Sequence, residues 1–251
     1  MKFMHPPPVW RLLDADLHMH TLNHEYAPVG LLEMIQGHPC RVLDVGCFCG
    51  GSGRWLKMKY AGCEVVGIEP LSAAAEQAAV IYERIINKPL EQIDFKGEGI
   101  DQGRFDTIIA ADVLEHMVNP WASLERLGQL LMPGGAIYAS IPNVRNLRVL
   151  QGLAEGKWLY EGAGILDISH LRFFTRAQII DMFTQTGWIV DEIRINPDPQ
   201  LSAVYQGKDI NTINALEAGP LQLNGLTAID ILELIALQFF VRAHPAEMPT
   251  L

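Results

Sequence analysis

Residues 42–53 read VLDVGCFCGGSG. A short apolar run leads into an acid and a cluster of glycines, and a helix-competent segment follows. This is the pattern of a buried strand turning tightly into a helix. Such a turn presents backbone N–H groups and a helix N-terminus to a ligand.

Alternating patterns continue on both sides. Strands are expected at 41–45, 64–68, 84–87, 105–110, 136–141, 188–195 and 237–242. Helices are expected at 24–36, 51–60, 73–82, 121–131, 177–186 and 229–234. Pro133-Gly134-Gly135 reads as a helix stop followed by a tight turn. Alternation of this kind implies an α/β chain with a parallel, doubly wound sheet. Residues 1–39 read as an arm and first helix, and 40–251 as the main domain. Within it, 144–174 breaks the alternation with glycines and aromatics, as lids and substrate loops do. Residues 197–225 read as a polar insertion.

With 251 residues, 49% of them hydrophobic, the chain can bury a full core. Its formal charge of −10 argues against nucleic acid as a partner. MKFMHPPPVW lacks the apolar core of a signal peptide. The apolar stretch 226–241 is too short to span a bilayer and carries Asp230 and Glu233. Cys40, Cys47, Cys49 and Cys63 suit reduced thiols, and the expected location is cytoplasmic. Cys47 and Cys49 have no matching second pair. His18, His20 and His24, with Asp14, Asp16 and Glu25 nearby, lie in a poorly patterned arm. No metal site is expected from either group.

Three ligands compete for the turn. A phosphate-cradling P-loop needs Lys then Ser or Thr after its last glycine, but Arg54 and Trp55 follow Gly53. A dinucleotide fingerprint starting at Gly46 would need glycine where Phe48 stands. S-adenosylmethionine (SAM) has an ammonium that Asp44 can hold directly or through water. Its ribose diol suits Glu69, nineteen residues beyond Gly50, near the ~20 expected for a ribose-gripping carboxylate. Gly46 and Gly50 allow close backbone approach.

Residues 105–143 read FDTIIAADVLEHMVNPWASLERLGQLLMPGGAIYASIPN. Together with VLDVGCFCGG and VVGIEP, they resemble class I SAM-dependent methyltransferases, in the group of ubiquinone-biosynthesis O-methyltransferases. The resemblance covers roughly 40–195 in the same order. ILDISHLRFF at 165–174 is similar to a segment found in a subset of that group that serves glycan or secondary-metabolite pathways. The resemblance implies a Rossmann-like three-layer sandwich with a mostly parallel, seven-stranded sheet. It implies SAM as cofactor and S-adenosyl-L-homocysteine as product. It places Asp44, Gly46, Cys47, Phe48 and Gly50 at the methionine end and Glu69 on the ribose. Pro70 or Leu71 would lie against the adenine, and Asp112 and Val113 under the sulfonium. An acid usually follows the third strand in this family; Pro89 stands there, leaving Leu90 for a backbone contact or Glu91 as a substitute. Phe48 replaces a small residue.

The implied reaction is in-line methyl transfer to a small-molecule or sugar-bearing acceptor, at oxygen. A hydroxyl acceptor benefits from a general base, and histidine suits that role near neutral pH. His116 follows the DVLE segment. His170 lies in the lid, where Asp167 and Arg172 could partner it. Both histidines are candidate catalytic groups, or else residues that order their loops. Asn143, Trp158, Tyr160, Asp167 and Arg172 are the candidate acceptor residues, although Trp158 and Tyr160 also fit simple lid packing. A homo-oligomer is compatible with the sequence. Two rivals remain: a nucleotide-dependent oxidoreductase and a non-catalytic scaffold subunit with the same fold.

Overall fold

The computed structural model describes residues 26–100 and 104–246, together with Val9 and Leu13. His18, His20, His24 and their acidic neighbours lie outside the described residues. The seven-stranded sheet has the order β3-β2-β1-β4-β5-β9-β6. Its strands are β1 (Arg41–Val45), β2 (Glu64–Ile68), β3 (Arg84–Ile86), β4 (Phe105–Ala111), β5 (Leu131–Pro142), β6 (Trp188–Pro197) and β9 (Ala236–Pro245). Strands β1 to β5 pair in parallel, and β9 runs antiparallel to both β5 and β6. A separate hairpin joins β7 (Ala215–Ala218) to β8 (Leu221–Asn224).

Neighbouring residues along the central strands go to opposite faces, as a two-residue period demands. Leu43, Val45, Ile108, Ala110, Ile137 and Ala139 pack on one face with α4 (Pro120–Gly128) and α6 (Arg176–Gln185). Val42, Val65, Ile109 and Tyr138 pack on the other with α1 (Val29–Leu32), α2 (Gly51–Lys59) and α3 (Ser72–Ala78). The result is a Rossmann-like three-layer sandwich. Burial on both faces explains why the strands read as nearly continuous apolar runs.

Helix starts follow side-chain chemistry. Asn119 caps α4 by accepting from the Ala122 N–H, with Pro120 at the first helical position. Thr175 and Gln178 form a capping box at α6, and Thr227 and Asp230 form another at α8 (Ala228–Ile235).

Several boundaries differ from expectation. The first helix holds only Val29–Leu32, following Pro28. The helix expected to reach 131 ends at Gly128, and β5 already begins at Leu131. Phe105 pairs with Leu131 and Thr107 with Ala136, so the Pro-Gly-Gly run is an irregularity inside the β4–β5 ladder. The helix expected to reach 82 stops at Ala78, which turns Tyr82 into the interior. The segment 144–174 contains α5 (Leu147–Ala154), and 197–225 contains α7 (Pro199–Tyr205) and the hairpin.

Strand order reverses between β1 and β4, so the chain leaves their carboxyl ends in opposite directions. Ligands in open α/β sheets bind at such a switch point. Phe105, fully buried at the start of β4, anchors the larger core cluster. Phe105→Ala is expected to lower stability by about 3–5 kcal/mol, read from the urea midpoint; a loss near zero would mean that this core is loosely packed.

Candidate active site

The chain leaves β1 through a turn that needs left-handed backbone. Gly46 has φ 67°, Phe48 φ 45° and Gly50 φ 86°. The N–H groups of Gly46 and Cys47 both donate to the Ile68 carbonyl, at 2.8 and 3.1 Å, hooking the turn over the end of β2. A Cβ on Gly46 would lie 2.5 Å from Val113 Cγ2, so only glycine lets the β1 and β4 turns meet. The main chain at Tyr26 crosses the start of α2, where a Cβ on Gly51 would stand 1.7 Å from the Tyr26 carbonyl oxygen.

Glu69 is 5% exposed. Its carboxylate accepts from the N–H groups of Phe48 and Leu71, both at 2.8 Å. Burial pushes its pKa up, while these two bonds pull it back. Each oxygen has spare lone-pair capacity for a further donor. Asn87, which the sequence reading passed over, fixes the next loop by donating to the carbonyls of Glu69 and Pro70 at 2.7 and 3.1 Å. Leu90 is buried, and its carbonyl accepts from Arg126 at 2.9 Å.

Asp44 lies under the turn. It is 1% exposed and accepts from the Tyr82 hydroxyl at 2.5 Å, while that hydroxyl accepts from the Gly53 N–H at 3.0 Å. Asp44 thus supports the turn from beneath, with one carboxylate oxygen held by Tyr82. Burial, opposed by the Tyr82 bond, raises its pKa from 3.8 to about 7. Cys47 is also buried, and burial pushes its thiol well above the usual range.

On the β4 side, Asp112 has φ 53°. Its N–H donates to Ser140, whose hydroxyl donates to Asp112 Oδ1 at 2.9 Å. Burial raises the Asp112 pKa, and the Ser140 bond and His170 oppose that rise. A short helical turn, Leu114–His116, follows. The carbonyl of Glu115 accepts from the N–H groups of Leu171 and Arg172, at 2.8 and 3.0 Å, and so staples the 144–174 segment to this turn.

The staple brings His116 and His170 together edge-to-face, with ring centroids 4.7 Å apart. Their environments differ. His116 is exposed, and its Nδ1 lies 3.2 Å from Ser169 Oγ. Ser169 donates to Asp167 Oδ1 at 2.5 Å. His170 is 8% exposed, with Nδ1 3.0 Å from the Ile165 carbonyl. One polar atom each from Glu115, His116 and His170 lies within 4.8 Å of the others.

Asp167 thus reaches His116 through Ser169, and its carbonyl accepts from the His170 N–H at 3.0 Å. Arg172 donates to the carbonyls of Leu171 and Val118. Asn143 is fully buried, and its amide donates to the carbonyls of Glu233 and Ala236 at 2.7 and 3.0 Å. These bonds commit it to joining β5 to α8 and remove it from the acceptor set. Trp158 packs edge-on against Phe173 at 5.2 Å and against Tyr160 at 6.5 Å.

The model of the methyltransferase domain family matches residues 19–193 of this chain. The chain belongs to that family. It is a SAM-dependent methyltransferase. The methyltransferase is 29% identical over 190 residues to the ubiquinone biosynthesis O-methyltransferase of Rhodopseudomonas palustris strain HaA2, covering 72% of each chain. It is 26% identical over 203 residues to the enzyme of the same name from Azoarcus sp. strain BH72, covering 75% of this chain and 83% of that one. It shares its fold with the Burkholderia thailandensis 1,6-didemethyltoxoflavin-N1-methyltransferase, solved with its acceptor and S-adenosylhomocysteine. That match has a TM-score of 0.55 at 15% identity and covers 95% of this chain and 85% of the other. Among the described residues, no helix of the methyltransferase is long and apolar enough to cross a membrane.

Asp44 sets a pH dependence. A carboxyl with a raised native pKa contributes stability fully below its unfolded value near 3.8, and loses it as pH rises to about 7. Asp44→Asn removes that ionisation. The fall in unfolding free energy between pH 4 and 7 should therefore be shallower in the variant, although the other buried carboxyls keep some slope. Equal slopes from urea titrations across that range would refute the assignment.

Proposed function

We propose that this methyltransferase moves a methyl group from SAM to an oxygen of a small-molecule or sugar-bearing acceptor, with His116 as the general base. The observation that carries this reading is the chain Asp167–Ser169–His116. Ser169 gives its hydroxyl proton to Asp167, so its lone pair faces His116 Nδ1. Nδ1 must then carry the imidazole hydrogen, which leaves the lone pair on Nε2. An exposed imidazole in that tautomer is suited to take a hydroxyl proton.

The residues of the turn fit the cofactor. Glu69 stands at the end of β2 with spare lone pairs for a ribose diol, and the Gly46–Gly50 turn and Asp112 flank it. SAM supplies a methyl group already activated by its sulfonium charge. What remains for the protein is to align the acceptor, exclude water and remove one proton. Trp158 and Tyr160, on the lid beside His170, offer aromatic surface for a ring-shaped acceptor. The names of the bacterial relatives support oxygen as the accepting atom.

His170, buried behind His116, is a positioning group in this scheme and not a second base. The test is labelled-methyl transfer from SAM to a panel of phenols, sugars and nucleotide sugars. His116→Ala should lower kcat by about 10²–10⁴-fold with SAM affinity kept by calorimetry. Full activity in that variant would refute the base. Transfer to amines or carbon acids but to no hydroxyl would refute the choice of oxygen.

A further inference from the structure

The glycine turn lies at the carboxyl ends of β1 and β2. At their opposite ends stand two cysteines that the methyl-transfer chemistry does not use. Cys40 immediately precedes β1, and Cys63 immediately precedes β2. The strands pair in parallel, with Arg41 opposite Glu64 and Val42 opposite Val65. One step back along both strands puts Cys40 opposite Cys63. The Glu64 N–H donates to the Cys40 carbonyl at 2.9 Å, so the ladder still holds at this step.

The facing of the side chains agrees. Cys63, Val65 and Val42 all pack in one core cluster. Residues two apart on a strand share a face, so Cys40 falls on the same side of the sheet as Cys63. Paired strands lie about 4.8 Å apart, inside the Cα separation of about 4.4–6.8 Å that a disulfide spans. Cys47 and Cys49 sit beyond the far end of β1, roughly 20 Å away along the strand.

All four thiols are free in this structure, but these two differ in access. Cys40 is exposed, and Cys63 is buried. Burial pushes the Cys63 thiol up to about 11, with Asp106, Glu83 and the Cys40 thiol acting in the same direction and Lys57 against them. A thiol in that state reacts slowly with a reagent in solvent. Cys40 Sγ lies 3.7 Å from the His38 carbonyl oxygen and Cys63 Sγ 3.9 Å from that of Glu64. A thiol is a weak donor, so neither contact pins its sulfur. An accessible thiol beside a sheltered partner is the arrangement in which one captures an oxidant and the other resolves the product.

We infer that Cys40 and Cys63 form a reversible dithiol–disulfide pair, with Cys40 as the site that takes up a low-molecular-weight disulfide and Cys63 as the resolving thiol.

The Cys40 thiolate attacks one sulfur of the incoming disulfide, forms a mixed disulfide and releases one small thiolate. The Cys63 thiolate then attacks Cys40 Sγ, forms the protein disulfide and releases the second. The protein gives up two electrons and two protons, and the small disulfide leaves as two thiols. The new bond closes a loop from 40 to 63 that contains β1, the glycine turn and α2. Such a cross-link restricts the unfolded chain, so the oxidised protein is the more stable form.

Oxidised glutathione is the probe, and the test needs neither an acceptor nor the His116 assignment. The native protein incubated with it should lose two of its four thiols. Peptide mapping should show Cys40 joined to Cys63 with no glutathione retained, and dithiothreitol should restore both thiols. Cys63→Ser should keep one glutathione on Cys40, and Cys40→Ser should take up none while folded. Oxidation should raise the wild-type Tm by about 5–10 °C and leave that of Cys40→Ser unchanged. The wild-type peptide map decides the matter even if a variant does not fold. Glutathione left on Cys40 beside a free Cys63 thiol, a bond between Cys40 residues of two molecules, a different internal pair, or four untouched thiols would each overturn the proposal.

Discussion

The close approach of Gly46 to Val113 is the constraint on which the site depends. Strands β1 and β4 end side by side, and the chain must leave them in opposite directions. The two turns meet so closely that a Cβ at Gly46 would lie 2.5 Å from a Val113 methyl. The same contact fixes the β1 turn over β2, where Glu69 waits, and fixes the β4 turn, which carries Asp112, Glu115 and His116. The β1 and β4 turns are thereby held to one geometry by this contact together with the hydrogen bonds of Gly46 and Cys47 to Ile68.

From that junction two hydrogen-bonded systems spread outward. Glu69 ties the first turn to the second through the N–H groups of Phe48 and Leu71. The Glu115 carbonyl ties the lid to β4 through those of Leu171 and Arg172. Both anchors lie at the carboxyl edge of the sheet, and both hold backbone that would otherwise be free loop. The exposed His116 and the buried His170 have different surroundings: one ring meets a serine hydroxyl at the surface, and the other meets a carbonyl inside.

Much of this was legible in the chain. The alternating apolar runs gave the sheet, and VLDVGCFCGG, Glu69 and the DVLEH segment pointed to the cofactor. What escaped depends on contacts between distant residues. Tyr82 reaches Asp44 only because α3 stops early and the chain turns inward. Asn143 sits beside the motif strand, yet its amide is consumed by carbonyls some 90 residues away. Asp167 lies three residues from His170, and that nearness suggested that it could orient the ring. The local turn instead sends Ser169 to Asp167 and on to His116. Glu115 could not be recognised as buried until the lid was seen to cover it.

The most direct measurement is a crystal structure of the protein with S-adenosyl-L-homocysteine and an acceptor hydroxyl bound. The account predicts the ribose diol on Glu69 and His116 Nε2 within hydrogen-bonding distance of the acceptor oxygen, with Nδ1 still on Ser169. A ribose held elsewhere, or an acceptor oxygen that meets no histidine, would contradict it.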